Sequence, residues 1–188
     1  MTPHPRFFGY GSLVNRSTHD YPSAQTATLP GWQRVWVHVA ERPVAYLSVE
    51  PAPGVSILGL TAEVPGSDWA ALDEREYAYA RHPALAMSDA TELPVQVYAV
   101  PQENRLPPTR TNPLILSYID AVVQGFLREY GPDGAAHFFE TTHGWNAPII
   151  HDRARPIYPR SQRLTGEEQM VVDAGLASLG VSFIAPSS

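Results

Sequence analysis

Short apolar segments separated by proline and glycine fill the first hundred residues, and this punctuation constrains the fold more than any other feature. The chain holds 19 prolines and 13 glycines among 188 residues. In WQRVWVHVAE, Val35, Val37 and Val39 share one face of an alternating pattern, which predicts a strand. The segments RFFGY, PVAYLSVE, ILGLTAEV and LPVQVYAV predict four further strands, and EPAPGVS predicts a turn between two of them.

Two helices are predicted among and after these strands. The segment GSDWAALDEREYAYAR contains good helix formers, with Ser67 or Asp68 placed to cap its first turn. In NPLILSYIDAVVQGFLREYG, Asn112 is placed to cap and Pro113 suits the first helical position. Gly131 suits the end of that helix, because glycine readily adopts the left-handed conformation that terminates helices.

A third helix is predicted near the C-terminus, where Thr165 and Glu168 have the spacing of a capping box and Gly180 marks the stop. Strands with one intervening helix and later helices indicate an α+β fold. We expect a small mixed β-barrel or strongly curved sheet with flanking helices and a C-terminal helical extension. The expected division is a domain over 1–132 and an extension over 133–188 packed on the same domain.

Composition excludes several classes of function. The chain has no cysteine, which rules out disulfides and a cysteine nucleophile, and all 13 basic residues are arginine. A formal net charge of −6 argues against nucleic-acid binding, which needs a basic face. There is no apolar stretch long enough to span a membrane and no secretion signal at the N-terminus, so we expect a cytoplasmic protein without a membrane partner.

The glycine turn after the first strand is one candidate site. Gly9, Tyr10, Gly11 and Ser12 follow the apolar segment directly, and such a turn can present successive backbone N–H groups to a carboxylate or phosphate. The spacing matches neither GxxxxGK[ST] nor GxGxxG. A tight bend between strand and loop is the alternative interpretation, and spacing alone does not exclude it.

Glu76 is the second candidate. If its segment is helical, Trp69, Leu72 and Glu76 share the buried face, whereas Glu74 and Arg75 project towards solvent. An apolar environment raises the pKa of a carboxyl group, and a carboxyl poised nearer neutrality can both accept and donate a proton. A plain ion pair between Glu76 and an arginine is the alternative.

Histidines in the C-terminal region could suggest a metal. His137, His143 and His151 are six and eight residues apart, with Asp152 next to the last, and this spacing matches no helical ligand pair. We therefore expect no metal and no cofactor. The segment TTHGWNAPIIHDRARPIYPRSQR is irregular, and it forms either a covering loop or a surface connection. This segment carries four arginines: Arg153, Arg155, Arg160 and Arg163. They either bind an anionic part of a substrate or pair with the excess acidic residues of the chain.

Taken together, the two candidate sites resemble those of the γ-glutamylcyclotransferase-like (AIG2/ChaC-like) family. Members carry a YGSL or YGSN turn after the first strand and a later glutamate in an LD-x-x-E segment. Here these are Tyr10-Gly11-Ser12-Leu13 and Leu72–Glu76. LPGWQRVW, ILGLTAEVP and SYIDAVVQGFLREYG resemble further family segments, the last carrying Tyr118 near the site, and the likeness spans residues 6–131.

The resemblance implies a definite reaction. In the family, the turn (here Tyr10, Gly11, Ser12 and Leu13, with Tyr118 nearby) binds a γ-glutamyl group, and the glutamate (here Glu76) shuttles the proton. The substrate's α-amine attacks its own γ-carbonyl, which gives 5-oxoproline and a free amine or peptide. Leu13 resembles the glutathione-directed ChaC-like branch, whereas Tyr77 stands where many relatives have glycine. Two alternatives stay open: a cyclotransferase for γ-glutamylamines, and a non-catalytic module that binds an acidic ligand or a partner's carboxylate.

Overall fold

A closed five-stranded barrel forms the centre of the protein. The computed structural model describes residues 4–40, 42–107 and 112–186. The barrel strands are β1 (Arg6–Gly9), β2 (Gln25–Val39), β3 (Tyr46–Glu63), β4 (Ala80–Ser88) and β5 (Thr91–Ala99). They pair in the order β3-β1-β5-β4-β2, and β2 pairs again with β3 to close the barrel. Because β1 and β5 run parallel while the other pairs are antiparallel, the barrel is mixed, and the predicted α+β barrel is confirmed.

Short strands and three helices surround the barrel. The remaining strands are β6 (Arg105–Leu106), β7 (Leu114–Ile115), β8 (Thr142–His143), β9 (Ile149–Ile150) and β10 (Phe183–Ile184). The helices are α1 (Ala70–Arg75), α2 (Leu116–Glu140) and α3 (Gly166–Ser178). Strands β6 and β8 extend the barrel along β2, whereas β7, β9 and β10 form a separate small sheet. No helix among the described residues is long and apolar enough to cross a membrane.

The predicted turn at EPAPGVS is wrong, since the two strands expected on either side of it are one strand, β3. The reason is the length of β2, which pairs with β3 on both sides of this segment. Trp32 opposes Pro51 and Pro30 opposes Ser56, and the register shifts between these pairs. Gly54, with φ of +85°, absorbs the extra residues without ending the strand.

Helix α1 is much shorter than the sequence predicted. It ends at Arg75, and the residues expected to continue it turn and enter β4, which the sequence analysis missed. Nine residues of β4 pair with β5, and this tertiary pairing outweighs the local preference of an alanine-rich segment for helix. Neither Ser67 nor Asp68 is the N-cap residue, which is Trp69, although Asp68 Oδ1 accepts a bond from the Ala70 N–H at 3.1 Å.

Helix α2 also differs from its prediction at both ends. It begins at Leu116, so Asn112 and Pro113 lie before it, because the intervening residues form β7 and pair with β9. Gly131 does interrupt the helix, with φ of 73°. Pro132 then starts another helical stretch to Glu140, which fits its preference for a first turn where no N–H is needed.

The third helix is confirmed, with Thr165 and Glu168 forming the capping box at its start. Glu168 also accepts bonds from Gln124 at 2.8 Å and Arg128 at 3.0 Å, which ties α3 to α2. The division at residue 132 stays a prediction, and α2 runs across that position.

Two hydrophobic clusters fix the elements around the site. The larger joins the barrel interior to α2 and α3. The smaller holds residues from β1, the glycine turn, β3, α1 and β5: Phe7, Leu13, Ala62, Val64, Leu72 and Tyr98. Leu72 is completely buried there, which is worth about 2–3 kcal/mol. This cluster packs α1 beside the glycine turn.

Candidate active site

The glycine turn is built by close packing around small residues. After β1, residues Ser12–Val14 form one turn of 3₁₀ helix, closed by a bond of 3.0 Å from the Val14 N–H to the Gly11 carbonyl. A Cβ on Gly9 would lie 2.6 Å from that of Leu13, and a Cβ on Gly11 would lie 2.5 Å from the Tyr118 hydroxyl oxygen. A side chain at either position would clash with these neighbours, so both positions require glycine. The turn fits tightly against the start of α2.

Arg34 holds this turn from behind. Its side chain is completely buried, and its Nε donates to the Tyr10 carbonyl at 2.8 Å. Its other nitrogens donate to Thr141 Oγ1 at 2.8 Å and to the Leu58 carbonyl, and the guanidinium lies over the Phe126 ring. Burial lowers its pKa to about 9. Among the described residues, no carboxylate forms an ion pair with this cation.

The side chains of the four predicted turn residues have different surroundings. The Tyr10 hydroxyl donates to the Tyr98 carbonyl at 2.6 Å, and Leu13 lies in the smaller hydrophobic cluster. Ser12 Oγ accepts a bond of 3.2 Å from Arg75, a residue predicted to face solvent. These side chains mainly fix the backbone, so what the turn offers to a ligand is chiefly its peptide groups.

Helix α1 brings Glu76 to the turn although the predicted helix was too long. Leu72 packs in the same cluster as Leu13, and the Tyr98 hydroxyl donates to Asp73 Oδ1 at 2.5 Å. Glu76 caps the C-terminal end of α1, where its N–H bonds to the Leu72 carbonyl at 2.9 Å. The carboxylate therefore points inwards at the helix end.

Two adjoining cavities meet at Glu76. The inner cavity, of ≈ 30 Å³, is bordered by β1, β3 and α2, by the turn residues Tyr10, Gly11, Ser12 and Leu13, and by Glu76. The outer cavity, of ≈ 140 Å³, adjoins it and is lined in addition by Arg75, Tyr158 and the exposed Arg160. Five residues line both: Ser12, Leu47, Glu76, Tyr79 and Tyr118. The structure thus brings together the glycine turn, Glu76 and Tyr118, the residues to which the sequence analysis gave a role in the site.

The Glu76 carboxyl is nearly enclosed, since only 16% of its side chain is exposed. Burial raises its pKa, and the positive charges of Arg75 and Arg160 oppose that rise. Arg75 Nε lies 3.2 Å from Glu76 Oε1. Arg75 also donates to Ser12 Oγ and to the Thr18 carbonyl, at 3.2 Å and 2.9 Å. The expectation that Arg75 faces solvent is wrong, because α1 ends there and turns its last side chain towards the glycine turn.

Buried tyrosines form much of the remaining wall. Burial raises the pKa of Tyr10, Tyr79 and Tyr118 above the usual value. The Tyr118 hydroxyl also hydrogen-bonds the backbone of Ser12, and the Tyr79 hydroxyl donates to the Leu47 carbonyl at 2.9 Å. These phenols therefore keep their protons and serve as neutral polar groups beside Glu76.

The irregular segment after α2 supplies the outer wall, which sequence reasoning did not assign. Asp152, completely buried, accepts bonds from the Ser117 N–H at 2.8 Å and the Ile157 N–H at 2.7 Å. From this anchor the chain places Tyr158 edge-on to the Tyr118 ring at 5.0 Å and Arg160 at the outer cavity.

The four arginines of this segment divide between the two predicted alternatives. Arg153 pairs with Asp120 and Asp173, each at 2.8 Å, and is structural. Arg155 and Arg163 are exposed, whereas Arg160 alone of the four lines the outer cavity. No signal in the sequence distinguishes these roles, since they depend on how Asp152 anchors the segment.

The histidines have separate surroundings. His137 Nε2 accepts a bond from the Leu58 N–H at 3.2 Å, and the His151 ring packs against Phe183. Within the described residues, no three His, Cys, Asp or Glu side chains are grouped so as to hold a metal ion.

Comparisons with known proteins agree with this architecture. The sequence profile described as gamma-glutamyl cyclotransferase, AIG2-like, matches residues 7–116, more than half of the chain. No curated protein matches the chain.

Several solved structures share the fold. A protein described as a gamma-glutamyl cyclotransferase superimposes with a TM-score of 0.58 at 16% identity, covering 90% of this chain and 98% of its own. An uncharacterized protein from Homo sapiens gives 0.59 at 16% identity, with coverages of 91% and 99%. YkqA from Bacillus subtilis gives 0.58 at 15% identity and covers 72% of this chain and 52% of its own.

Proposed function

Because the chain belongs to the gamma-glutamyl cyclotransferase, AIG2-like family, we propose that it is an enzyme that converts γ-glutamyl amides into 5-oxoproline and a free amine. The observation that supports this proposal most directly is that Glu76 and the Tyr10–Leu13 turn line one cavity. The reaction joins two groups of the same substrate molecule. Catalysis then depends mainly on holding the substrate in a cyclic conformation and on moving protons.

In the proposed complex, the backbone of the turn binds the α-carboxylate of the γ-glutamyl group. The first N–H groups of a helical turn have no acceptor within that turn, but the Ser12 backbone already hydrogen-bonds the Tyr118 hydroxyl. The anion therefore replaces that contact or binds at the neighbouring N–H groups of the turn. Arg34 stabilises this arrangement, because its buried charge lies directly behind the Tyr10 carbonyl. Leu47, Tyr79 and Tyr118 exclude water from the side of the substrate that must fold back on itself.

Glu76 carries each proton in two steps, first as base and then as acid. Its carboxylate takes a proton from the substrate's α-ammonium, and the freed amine attacks the γ-carbonyl carbon to form the new C–N bond. In the resulting tetrahedral oxyanion the attacking nitrogen still carries one proton more than the lactam needs. The protonated Glu76 donates to the leaving nitrogen and, ionised again, takes that second proton from the ring nitrogen as the oxyanion collapses and the original C–N bond breaks. Glu76 then passes the second proton to the released amine, which leaves as an ammonium beside 5-oxoproline, and returns to its ionised form. No protein nucleophile takes part.

The surroundings of Glu76 suit both steps. A general base works best when its pKa lies near the operating pH, and burial moves the pKa of Glu76 upwards from its ordinary acidic value. The charges of Arg75 and Arg160 oppose that rise and so favour the ionised form that accepts the proton. Proton transfer by a positioned group typically contributes about 10²–10⁴-fold to the rate.

The decisive test is Glu76→Gln assayed for 5-oxoproline release from γ-glutamyl dipeptides. The amide keeps the shape of the side chain but cannot accept the proton, so kcat should fall by about 10²–10⁴-fold while the ligand still binds. Glu74→Gln is the matched control, because Glu74 is the exposed glutamate of the same helix and should keep wild-type activity. Normal turnover by Glu76→Gln would refute the role given to Glu76.

The two alternatives give different results in the same assay. A non-catalytic module would bind γ-glutamyl compounds and release no product, with wild type and Glu76→Gln alike. A cyclotransferase for γ-glutamylamines would favour substrates whose leaving amine is uncharged or cationic.

A further inference from the structure

Arg160 is the cation at the outer cavity that forms no ion pair within the described part of the chain, although its charge acts on Glu76 from a distance. Arg75, its neighbour there, is already committed to Glu76, Ser12 and Thr18. Arg160 forms no ion pair within residues 4–40, 42–107 and 112–186, and its side chain is exposed at the mouth of the cavity. A guanidinium in this position is free to meet a ligand.

The charge of the outer cavity contrasts with that of the whole protein. Its charged lining residues are Arg75, Glu76 and Arg160, so the cavity carries a net positive charge although the chain carries −6. A γ-glutamyl amide with an uncharged leaving group has one carboxylate and one ammonium and is neutral overall. When the leaving amine is an amino acid or peptide, a second carboxylate makes the substrate an anion, which complements the cavity.

We propose that Arg160 forms a leaving-group subsite that binds a carboxylate, so that the preferred substrates are γ-glutamyl amides of amino acids or short peptides. This inference rests on the proposed function. Guanidinium and carboxylate match in shape and form paired hydrogen bonds, which makes arginine the suitable residue for this contact.

The position of the subsite follows from the packing around it. Tyr118 lines both cavities, and Tyr158, which contacts its ring, lines only the outer one together with Arg160. Arg160 therefore borders the part of the site beyond the inner cavity, where the reacting amide is proposed to bind. Beyond it, a groove lined by Arg75, Arg160 and Asp20 continues along the surface. Arg75 and Arg160 outnumber Asp20 in this groove, so the positive charge of the outer cavity continues along it. Arg160 lies outside the region matched by the family profile, so the family pattern does not assign this role.

A matched pair of substrates tests the subsite. γ-Glutamylglycine and γ-glutamylglycinamide differ only in a carboxylate or a carboxamide on the leaving amine. We expect wild type to favour γ-glutamylglycine by about 5- to 50-fold in kcat/KM, the range of a charged hydrogen bond at a partly exposed position. In Arg160→Gln the preference should fall to about one, and Arg160→Lys should restore part of it, since charge without the planar fork remains.

Arg155→Gln is the control, because Arg155 is an exposed arginine of the same segment that borders neither cavity, and it should keep the wild-type preference. Equal turnover of both substrates by wild type would overturn the subsite and leave the proposed function standing. An unchanged preference in folded Arg160→Gln, checked by its melting curve, would overturn the assignment to Arg160. Turnover of neither substrate by wild type would overturn the proposed function, and the subsite with it.

Discussion

The glycine turn and the segment that carries Arg160 border the same cavities, yet they are held in opposite ways. The turn is fixed from within by close packing at Gly9 and Gly11 and by the buried Arg34. The later segment is fixed at its base by Asp152, and from there it extends outwards to the exposed Arg160.

The rigid turn and the more exposed Arg160 segment correspond to two separate requirements of the proposed reaction: accurate positioning for ring closure and selection of the leaving group. The proposed ring closure tolerates little movement, because a displacement of about 1 Å can cost a factor of 10². Selection of a leaving group needs only a charge at the correct end of the cavity. Accordingly, the turn lies within the region matched by the family profile and the Arg160 segment lies beyond it. Variants of each region should therefore fail differently.

The largest effect is expected from Arg34→Met, which removes the cation behind the turn. The Tyr10 and Leu58 carbonyls would lose their buried donor, and each orphaned acceptor costs about 1–3 kcal/mol. We expect the free energy of unfolding in urea to fall by about 3 kcal/mol or more. Arg155→Met, at an exposed position, should stay within about 0.5 kcal/mol of wild type. A stable Arg34→Met protein would show that packing alone holds the turn.

The next largest effect is expected from Gly11→Ala. The new Cβ would lie 2.5 Å from the Tyr118 hydroxyl oxygen. The turn must shift, so kcat/KM should fall by about 100-fold. Adding Tyr118→Phe removes the clashing oxygen and leaves Leu47 Cδ2 at 3.2 Å and the ring carbon Cζ at 3.7 Å. Only the tight contact with the flexible Leu47 side chain remains, so the double variant should recover part of the activity.

Gly166→Ala is the control for this pair, because a Cβ there meets nothing within 4 Å. Full activity of Gly11→Ala alone would contradict the tight fit of the turn against α2.

A smaller effect is expected from Asp152→Asn at the base of the Arg160 segment. The amide would place an N–H₂ group among donors from Ser117 and Ile157, which should cost about 1–2 kcal/mol in unfolding free energy. KM for γ-glutamylglycine should rise several-fold with little change in kcat, because the segment positions the leaving group rather than the proton carrier.

Asp133→Asn, at an exposed position outside this segment, is the matched substitution and should change neither constant. If kcat fell as steeply in Asp152→Asn as in Gly11→Ala, the two regions would not be separable.

The smallest effect concerns pH. Ionised Glu76 is the active form, so kcat/KM should decline below the pKa of Glu76, and burial places that decline at higher pH than for an exposed glutamate. Arg160 lowers this pKa, so Arg160→Gln should move the acid limb of the profile upwards. Arg155→Gln should leave the limb in place, and a downward shift in Arg160→Gln would contradict the electrostatic link between Arg160 and Glu76.

The sequence predicted the barrel because alternation and punctuation are local signals that the sheet uses directly. The sequence also placed Glu76 on the buried side, although this prediction assumed a helix longer than the one observed. The predicted helix continued through the turn after Arg75 and into the first two residues of β4, because alanine-rich sequence favours helix until pairing with β5 overrides it. Leu72 and Glu76 keep the same side in both interpretations, since the single turn of α1 suffices to set it.

Arg75, Arg34 and Arg160 could not be identified in the same way. In the long helix that the sequence predicted, Arg75 would lie on the solvent-facing side. In the short helix of the structure, Arg75 is the last residue and its side chain turns towards the glycine turn. The role of Arg34 depends on contacts with Tyr10, Leu58 and Thr141, which are brought together only by the closed barrel. Arg160 depends on the anchor at Asp152, which nothing in the local sequence marks.

The make-up of the two cavities has a consequence for spectroscopy. Their cations are arginines, which stay charged at any physiological pH, and among the described residues no histidine lines either cavity. The pKa values of Tyr10, Tyr79 and Tyr118 are raised further from neutrality by burial. Among the described residues that line the two cavities, Glu76 is then the only carboxyl group, and burial raises its pKa above the ordinary acidic value. An infrared band or carbon resonance from its carboxyl should trace a simple one-proton curve, undistorted by neighbours titrating in the same interval.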